Sequence, residues 1–247
     1  LISNVILFKD ENEENAYHFR INAHDTYSFK YFDEYTQNQV RQLYSNYFYV
    51  RQNEFWRVEA LEKLPALKEA TNMLICGEDL GMVPDSVPGV MRDLGLLSLE
   101  IQRMPKDPSQ QFFNPANAPY LSVVTPSTHD MSTIREWWQE NTDSTQIFYN
   151  TQLGRLGQAP YYAEPWICTD IIRQHLFSTA MWSIFQIQDL MSIDGDIRCE
   201  KPEDERINVP ADPNHYWRYR MHLNFEELEQ KESFNNKLNW LIKNAGR

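Results

Sequence analysis

Cysteine is scarce in this chain. Three thiols, Cys76, Cys168 and Cys199, are spread over 247 residues, with no CxxC pair and no even, closely spaced disulfide framework. That argues against a stapled secreted scaffold and favours a reducing, cytoplasmic compartment, where free cysteines serve as small buried apolar residues. Long apolar runs are also missing: nothing approaches the ~18 continuous apolar residues of a membrane span. Leu1-Ile2-Ser3-Asn4 lacks the basic start and apolar core of a signal peptide. Basic residues number 23 against 35 acidic ones, a net charge of −12. Such a balance argues against a partner held through nucleic-acid phosphates and leaves room for a neutral substrate. There is no internal repeat and no low-complexity tract. There is also no initiator methionine, and the chain reads as the tail of something longer.

What is present suits a packed core. Apolar residues make up 42% and aromatic residues 13%, enough both to fill an interior and to line a site. Residues 1–36 mix short β-like runs with acidic turns and read as an irregular connecting segment. From Asn38 to Asn72 the spacing of Leu43, Tyr47, Phe48, Phe55, Val58 and Leu61 predicts helix, with a kink or break at Pro65 before a last short helix. Met73–Gly77, Leu97–Arg103, Tyr120–Val124 and Met181–Ile187 read as strands, the first of them buried on both faces. Helices are expected from Pro84 to Gly95, at Ser132–Glu140, Gln146–Leu156 and Trp166–Phe177, and from Glu226 to Asn244. Strands alternating with helices predict a parallel α/β architecture. Four strands are half of what a barrel of eight requires at about this length.

Two of the strand candidates end on acids. Met73–Gly77 runs into Glu78-Asp79, and Tyr120–Val124 leads to His129-Asp130. Carboxylates at the C-terminal ends of parallel strands are where such barrels keep their catalytic groups. Cleavage of a glycosidic bond with retention needs two carboxyl groups ~5–5.5 Å apart, one as acid and base, the other as nucleophile. Glu78 ends an apolar run, where partial desolvation favours the protonated form a proton donor needs. Asp79 points away from its neighbour in strand geometry and is read as supporting structure. Asp130, ionised, can stabilise an oxocarbenium-like transition state, and His129 can donate to sugar hydroxyls. Taken singly, an acid after a strand is more often a cap or ion-pair partner, and a lone histidine more often structural. Trp137, Trp138 and Trp217 read as packing residues before sugar platforms.

Longer strings carry a resemblance. LICGEDLGMVPDSVPGVMRDLG, LSLEIQRMPKD and PYLSVVTPSTHDMSTIREWW, with TYSF, YFYVRQNEFWR, IFQIQDL and ERINVPADPNHYWRYRMHL, resemble the 4-α-glucanotransferases. These are the amylomaltases or disproportionating enzymes of glycoside hydrolase family 77, and the likeness is nearest to the larger form found in plants and many bacteria. The resemblance implies Glu78 as general acid/base, Asp130 as transition-state stabiliser, His129 as a sugar contact in the donor site and Asn208, within Arg206-Ile207-Asn208-Val209-Pro210, as a further substrate contact. It implies a covalent glycosyl-enzyme passed to a second sugar, a malto-oligosaccharide or α-glucan substrate, and neither metal nor organic cofactor.

Two departures separate the chain from small amylomaltases. THD continues as Met131-Ser132-Thr133, and the terminal Asn-Trp-x-Trp-Arg reads Tyr216-Trp217-Arg218-Tyr219-Arg220. The family's nucleophile, the Asp of an Arg-x-Asp motif on the fourth barrel strand, has no match in residues 1–72; His24-Asp25 lacks both the arginine and a strand. The expected fold is therefore α/β, the C-terminal half (about strands five to eight) of a (β/α)8 barrel. Residues 1–36 would connect and 37–247 would form one portion of a single catalytic domain, inactive alone. An α-amylase-type hydrolase and a fragment that only binds glucan remain as alternatives.

Overall fold

The computed structural model describes residues 4–78 and 83–247. They form two compact units. One takes the chain as far as Met73 together with the stretch ending at Leu94; the other begins at Leu74 and resumes from Gly95 to Arg247.

The first unit opens with a hairpin, β1 (Leu7–Lys9) antiparallel to β2 (Tyr17–Phe19), with Leu7 opposite Phe19. Asn15, just before β2, takes a φ of 69°, a left-handed conformation that asparagine tolerates better than most residues. A 3-10 turn at Ala23–Asp25 and a short helix, α1 (Tyr27–Lys30), follow. The stretch expected to be irregular therefore carries local structure. Then α2 (Glu34–Ser45), a π-helical stretch (Asn46–Gln52) and α3 (Asn53–Glu69) run on without a gap. Asp33 starts the run by accepting from the Thr36 N–H at 2.9 Å, as an N-cap does.

Of the kink or break expected at Pro65, the break does not occur: α3 carries the proline internally and runs on to Glu69. Residues around it are half-exposed or exposed, so water can satisfy the carbonyl that a proline leaves unbonded. The expected apolar stripe is only partly covered: Leu43, Phe55 and Val58 face solvent. After α4 (Val87–Leu94), Gly95 adopts a φ of 65°, the left-handed step that commonly ends a helix. A cavity of about 500 Å³ in this unit is lined by Tyr47, Phe48, Trp56, Leu64, Val90 and Met91 among others.

The second unit is built on a parallel sheet. Strand β3 (Ser98–Ile101) pairs with β4 (Ser122–Thr125), and β4 with β5 (Trp182–Ser183). Cys76 extends the sheet by one parallel bridge to Leu97, with Gly77 N–H donating to Leu97 O at 2.8 Å and Leu97 N–H to Ile75 O at 2.9 Å. All four expected strands thus enter one sheet in chain order, but two are cut short. Met73–Gly77 contributes a single bridge at the edge, and Met73 and Leu74 are exposed, which corrects the reading of a strand buried on both faces. Met181–Ile187 keeps two ladder residues, and Ile187 instead opens a helix.

The helices are α5 (Ile134–Glu140), α6 (Thr142–Thr151), α7 (Pro165–Leu176), α8 (Ile187–Met191), α9 (Phe225–Glu229) and α10 (Glu232–Asn244). Their inward faces make the main core, with Ile134, Trp138, Phe148, Ile172 and Leu241 fully or almost fully buried. The expected C-terminal helix is split in two. Asn235 Nδ2 donates to Leu228 O and Glu229 O, both at 3.0 Å; it satisfies the last carbonyls of α9 and stops that helix there. Only Cys168 is buried as expected, with burial pushing its thiol up to about 12; Cys199 is half-buried and Cys76 exposed. No helix among the described residues is long and apolar enough to cross a membrane.

His175 sits wholly inside this core on α7, its Nδ1–H donating to Ile171 O at 2.8 Å. Burial holds its pKa down at about 4 against an ordinary 6.5. A depressed histidine contributes stability above its unfolded pKa and loses it as pH falls toward the folded one. Relative to a His175→Leu variant, the wild type is expected to lose about 3 kcal/mol of unfolding free energy between pH 6.5 and pH 4. Urea melts of both proteins across that range check it; parallel curves would contradict it.

Candidate active site

Three of the four residues singled out in the sequence meet directly. Strand β4 ends at Thr125, and the loop from Pro126 to Thr133 carries His129 and Asp130 beyond its C-terminal end. Thr133 then caps α5, its hydroxyl accepting from Glu136 N–H at 3.4 Å while donating to Glu205 Oε2 at 3.0 Å. The local string Thr133-Ile134-Arg135-Glu136 is a helix-start signature, so the loop has a defined exit. Asn208, 78 residues further along, donates through Nδ2 to Asp130 Oδ1 at 2.6 Å. His129 Nε2 lies 3.4 Å from Asp130 Oδ2. The side chains of His129 and Asp130 remain 49% and 43% exposed, so both can be reached by a ligand.

Asn208 is held in its turn by Arg206. That guanidinium donates to the Asn208 carbonyl at 2.9 Å and pairs with Glu136 and Glu140 of α5 at 3.2 and 3.4 Å. Burial raises the Glu136 pKa against the opposing pull of Arg206. Trp217 completes the cluster, its ring 4.7 Å from that of His129 and largely exposed. This corrects the reading of Trp217 as a packing residue. Trp138, by contrast, is in the core, and Trp137 packs against it.

Glu78 lies in the same unit, exposed, one residue beyond the edge pairing of Gly77 with Leu97. Both acids therefore follow the C-terminal ends of parallel strands, the edge segment for Glu78 and β4 for Asp130. Among the described residues no hydrogen bond joins Glu78 to the other three. Asp79, Leu80 and Gly81 of the EDLG string lie outside the described residues. None of the four lines the 500 Å³ cavity of the first unit. No three His, Cys, Asp or Glu side chains among the described residues gather as a metal site would require.

Behind the exposed groups lies a buried layer that sequence reading passed over. Asp189 of α8 is fully buried and accepts from Ser127 Oγ and, at 2.8 Å, from Ile134 N–H. Burial raises its pKa against those hydrogen bonds. Arg103, two residues past β3, donates to Pro126 O at 3.0 Å and to the Ser132 carbonyl, and burial pushes its guanidinium down to about 10, still cationic near neutrality. Arg135 pairs with Glu205 in the interior. The only sequence signal for Asp189 and Arg103 is that each sits in a quoted string, IFQIQDL and LSLEIQRMPKD.

Comparison with known proteins places this site in a family. A model of the 4-alpha-glucanotransferases, glycoside hydrolase family 77, matches residues 18–224, which include all four residues. The chain is 38% identical over its whole length to 4-alpha-glucanotransferase DPE2 of Oryza sativa subsp. japonica, of which it covers 26%. It is 28% identical over 187 residues to the 4-alpha-glucanotransferase of Chlamydia trachomatis, 72% of this chain and 34% of that protein. The chain thus spans about a quarter to a third of these relatives. An amylomaltase from Streptococcus agalactiae, solved in complex with acarbose, shares its fold over 76% of this chain and 35% of that one, with a TM-score of 0.58 at 20% identity. By the family match and the shared fold, this chain belongs to glycoside hydrolase family 77, the 4-alpha-glucanotransferases, and its parallel α/β structure is of the TIM-barrel type.

Proposed function

We propose that the protein carrying this chain moves α-1,4-glucan segments between malto-oligosaccharides or glucans by retaining double displacement. In the first step a carboxylate nucleophile attacks the anomeric carbon as Glu78 gives its proton to the departing glycosidic oxygen. In the second, Glu78, now a carboxylate, takes the proton of an acceptor hydroxyl, and that oxygen displaces the enzyme's carboxylate from the sugar. Asp130 faces the positive charge that builds between the two, where a fixed anion is most effective. His129 and Asn208 bind sugar hydroxyls, and Trp217 offers an apolar face beside them.

The observation that carries this reading is the family match across residues 18–224. The contact between Asn208 and Asp130 supports it by joining two motif segments far apart in the chain. Within the same reading the sheet represents barrel strands five to eight, and residues 37–247 are one portion of a single catalytic domain. The nucleophilic Asp comes from the preceding barrel strand, outside this sequence. Trp182, an exposed apolar residue on β5, suits a sheet that the rest of a barrel covers.

The test is to incubate the full-length protein with maltotriose and follow products by chromatography. Redistribution into longer and shorter oligosaccharides, with glucose but little net hydrolysis, is expected. Net hydrolysis without chain lengthening would replace the transferase by an amylase-type hydrolase, and unchanged substrate would leave a glucan-binding role.

A further inference from the structure

Asp189 takes no part in the chemistry above, yet its carboxylate holds both ends of the loop that does. We infer that Asp189, together with Arg103, positions Asp130 for catalysis; this rests on the reading of Asp130 as the transition-state stabiliser. One Asp189 oxygen accepts from Ser127 Oγ and the other from Ile134 N–H. Ser127 and Ile134 bracket the six residues Thr128–Thr133, and His129 and Asp130 lie between them. Arg103 grips the same segment from the side of β3, through Pro126 O at 3.0 Å, Ser132 Oγ at 3.5 Å and the Ser132 carbonyl. Its guanidinium lies over the Trp137 ring at 5.1 Å, which limits its own freedom. Groups that follow β3 and β5 thus close on the loop that follows β4.

The physical reason for charged groups here is geometric. Burying a carboxylate and a guanidinium adds little net stability, since well-packed apolar residues often do as well. Directional hydrogen bonds to both ends of a loop do what apolar packing cannot: they hold its backbone in one conformation. Asp130 needs this because its own side chain is exposed and, among the described residues, is held by Asn208 and His129 alone. A displacement of about 1 Å at a reacting centre can cost about 10²-fold in rate.

The experiment uses the full-length protein and maltose disproportionation. Asp189→Asn keeps the size but removes the charge and leaves one oxygen where two now accept, so the Ser127 hydroxyl or the Ile134 N–H must give up its acceptor. It is expected to lower kcat by about 10- to 100-fold with KM changed less than about threefold. Ser127→Ala, a milder change that leaves Asp189 in place, is expected to lower kcat by about 10-fold and decides the matter should Asp189→Asn not fold. In an Asp130→Asn background either change is expected to cost almost nothing further, because its effect passes through Asp130; a general loosening of the fold would multiply instead. Wild-type kcat in Ser127→Ala, or a full further loss in the Asp130→Asn background, overturns the inference while leaving Asp130 as stabiliser. Wild-type turnover in Asp130→Asn alone overturns the reading of Asp130, and the inference with it.

Discussion

Replacing Glu78 with glutamine is expected to lower turnover of the full-length protein by about 10²- to 10⁴-fold, the range attributed to a positioned general acid/base. Glutamine matches glutamate in size but cannot lend a proton to the departing glycosidic oxygen or remove one from the acceptor. Because Glu78 is exposed and lies beyond the edge pairing, the substitution should leave the melting temperature within about 1 °C, so any lost rate is chemical. A donor with a leaving group that needs no protonation, such as a glycosyl fluoride, separates the two steps. Its first displacement should survive the substitution far better than that of maltose, while transfer to the acceptor stays slow. Wild-type turnover of maltose would remove Glu78 from the mechanism.

The second large effect is on stability. Arg135→Met is expected to cost about 3–5 kcal/mol, the usual result of stripping one partner from a buried ion pair. Arg135 and Glu205 bury their side chains to 8% and 2% exposure. Arg135 also donates to Cys199 O at 2.7 Å, and Glu205 accepts from Thr133 at 3.0 Å. Among the described residues, removing the guanidinium leaves the buried Glu205 carboxylate with the Thr133 hydroxyl as its remaining hydrogen-bond partner. The double variant Arg135→Met/Glu205→Leu should recover most of the loss, since replacing both charges avoids the uncompensated one.

The pair also has a pH signature. Burial pushes the Glu205 pKa up from 4.5 to about 7, outweighing the pull of Arg135. An acid with a raised folded pKa contributes most below its unfolded value, and stability declines as pH rises from about 4.5 through about 7. Without Arg135 this decline should keep its one-proton slope and continue above pH 7. Denaturant melts of the single and double variants at pH 5 and pH 8 check both expectations. A single variant as stable as wild type at pH 8 would show that the pair is dispensable.

Legibility in the sequence varied by element, for identifiable reasons. The helices expected at Ser132–Glu140 and Trp166–Phe177 lie close to α5 and α7, while the one expected at Gln146–Leu156 lies four to five residues too late, because Asn141, which caps α6, goes unread as a helix start. Edge elements were overread. Met73–Gly77 and Met181–Ile187 are apolar runs of strand length, but a ladder needs a partner at each position, and pairing is not written in one strand. A break at Pro65, one of the two outcomes expected there, did not occur because the penalty for a proline depends on whether water reaches the freed carbonyl, a tertiary property.

The alternation of its strands and helices declared a parallel α/β architecture, and its longer strings declared a family resemblance, which in turn implies roles for Glu78, His129, Asp130 and Asn208. Chemistry of that kind survives in sequence because it depends on residue type at fixed spacing. Only the folded molecule brought Asn208 across 78 positions to Asp130, exposed Trp217 beside His129, and set Asp189 and Arg103 behind the loop. These are contacts between remote segments, and burial, which decides whether a charge is costly or useful, exists only once the chain has closed around it.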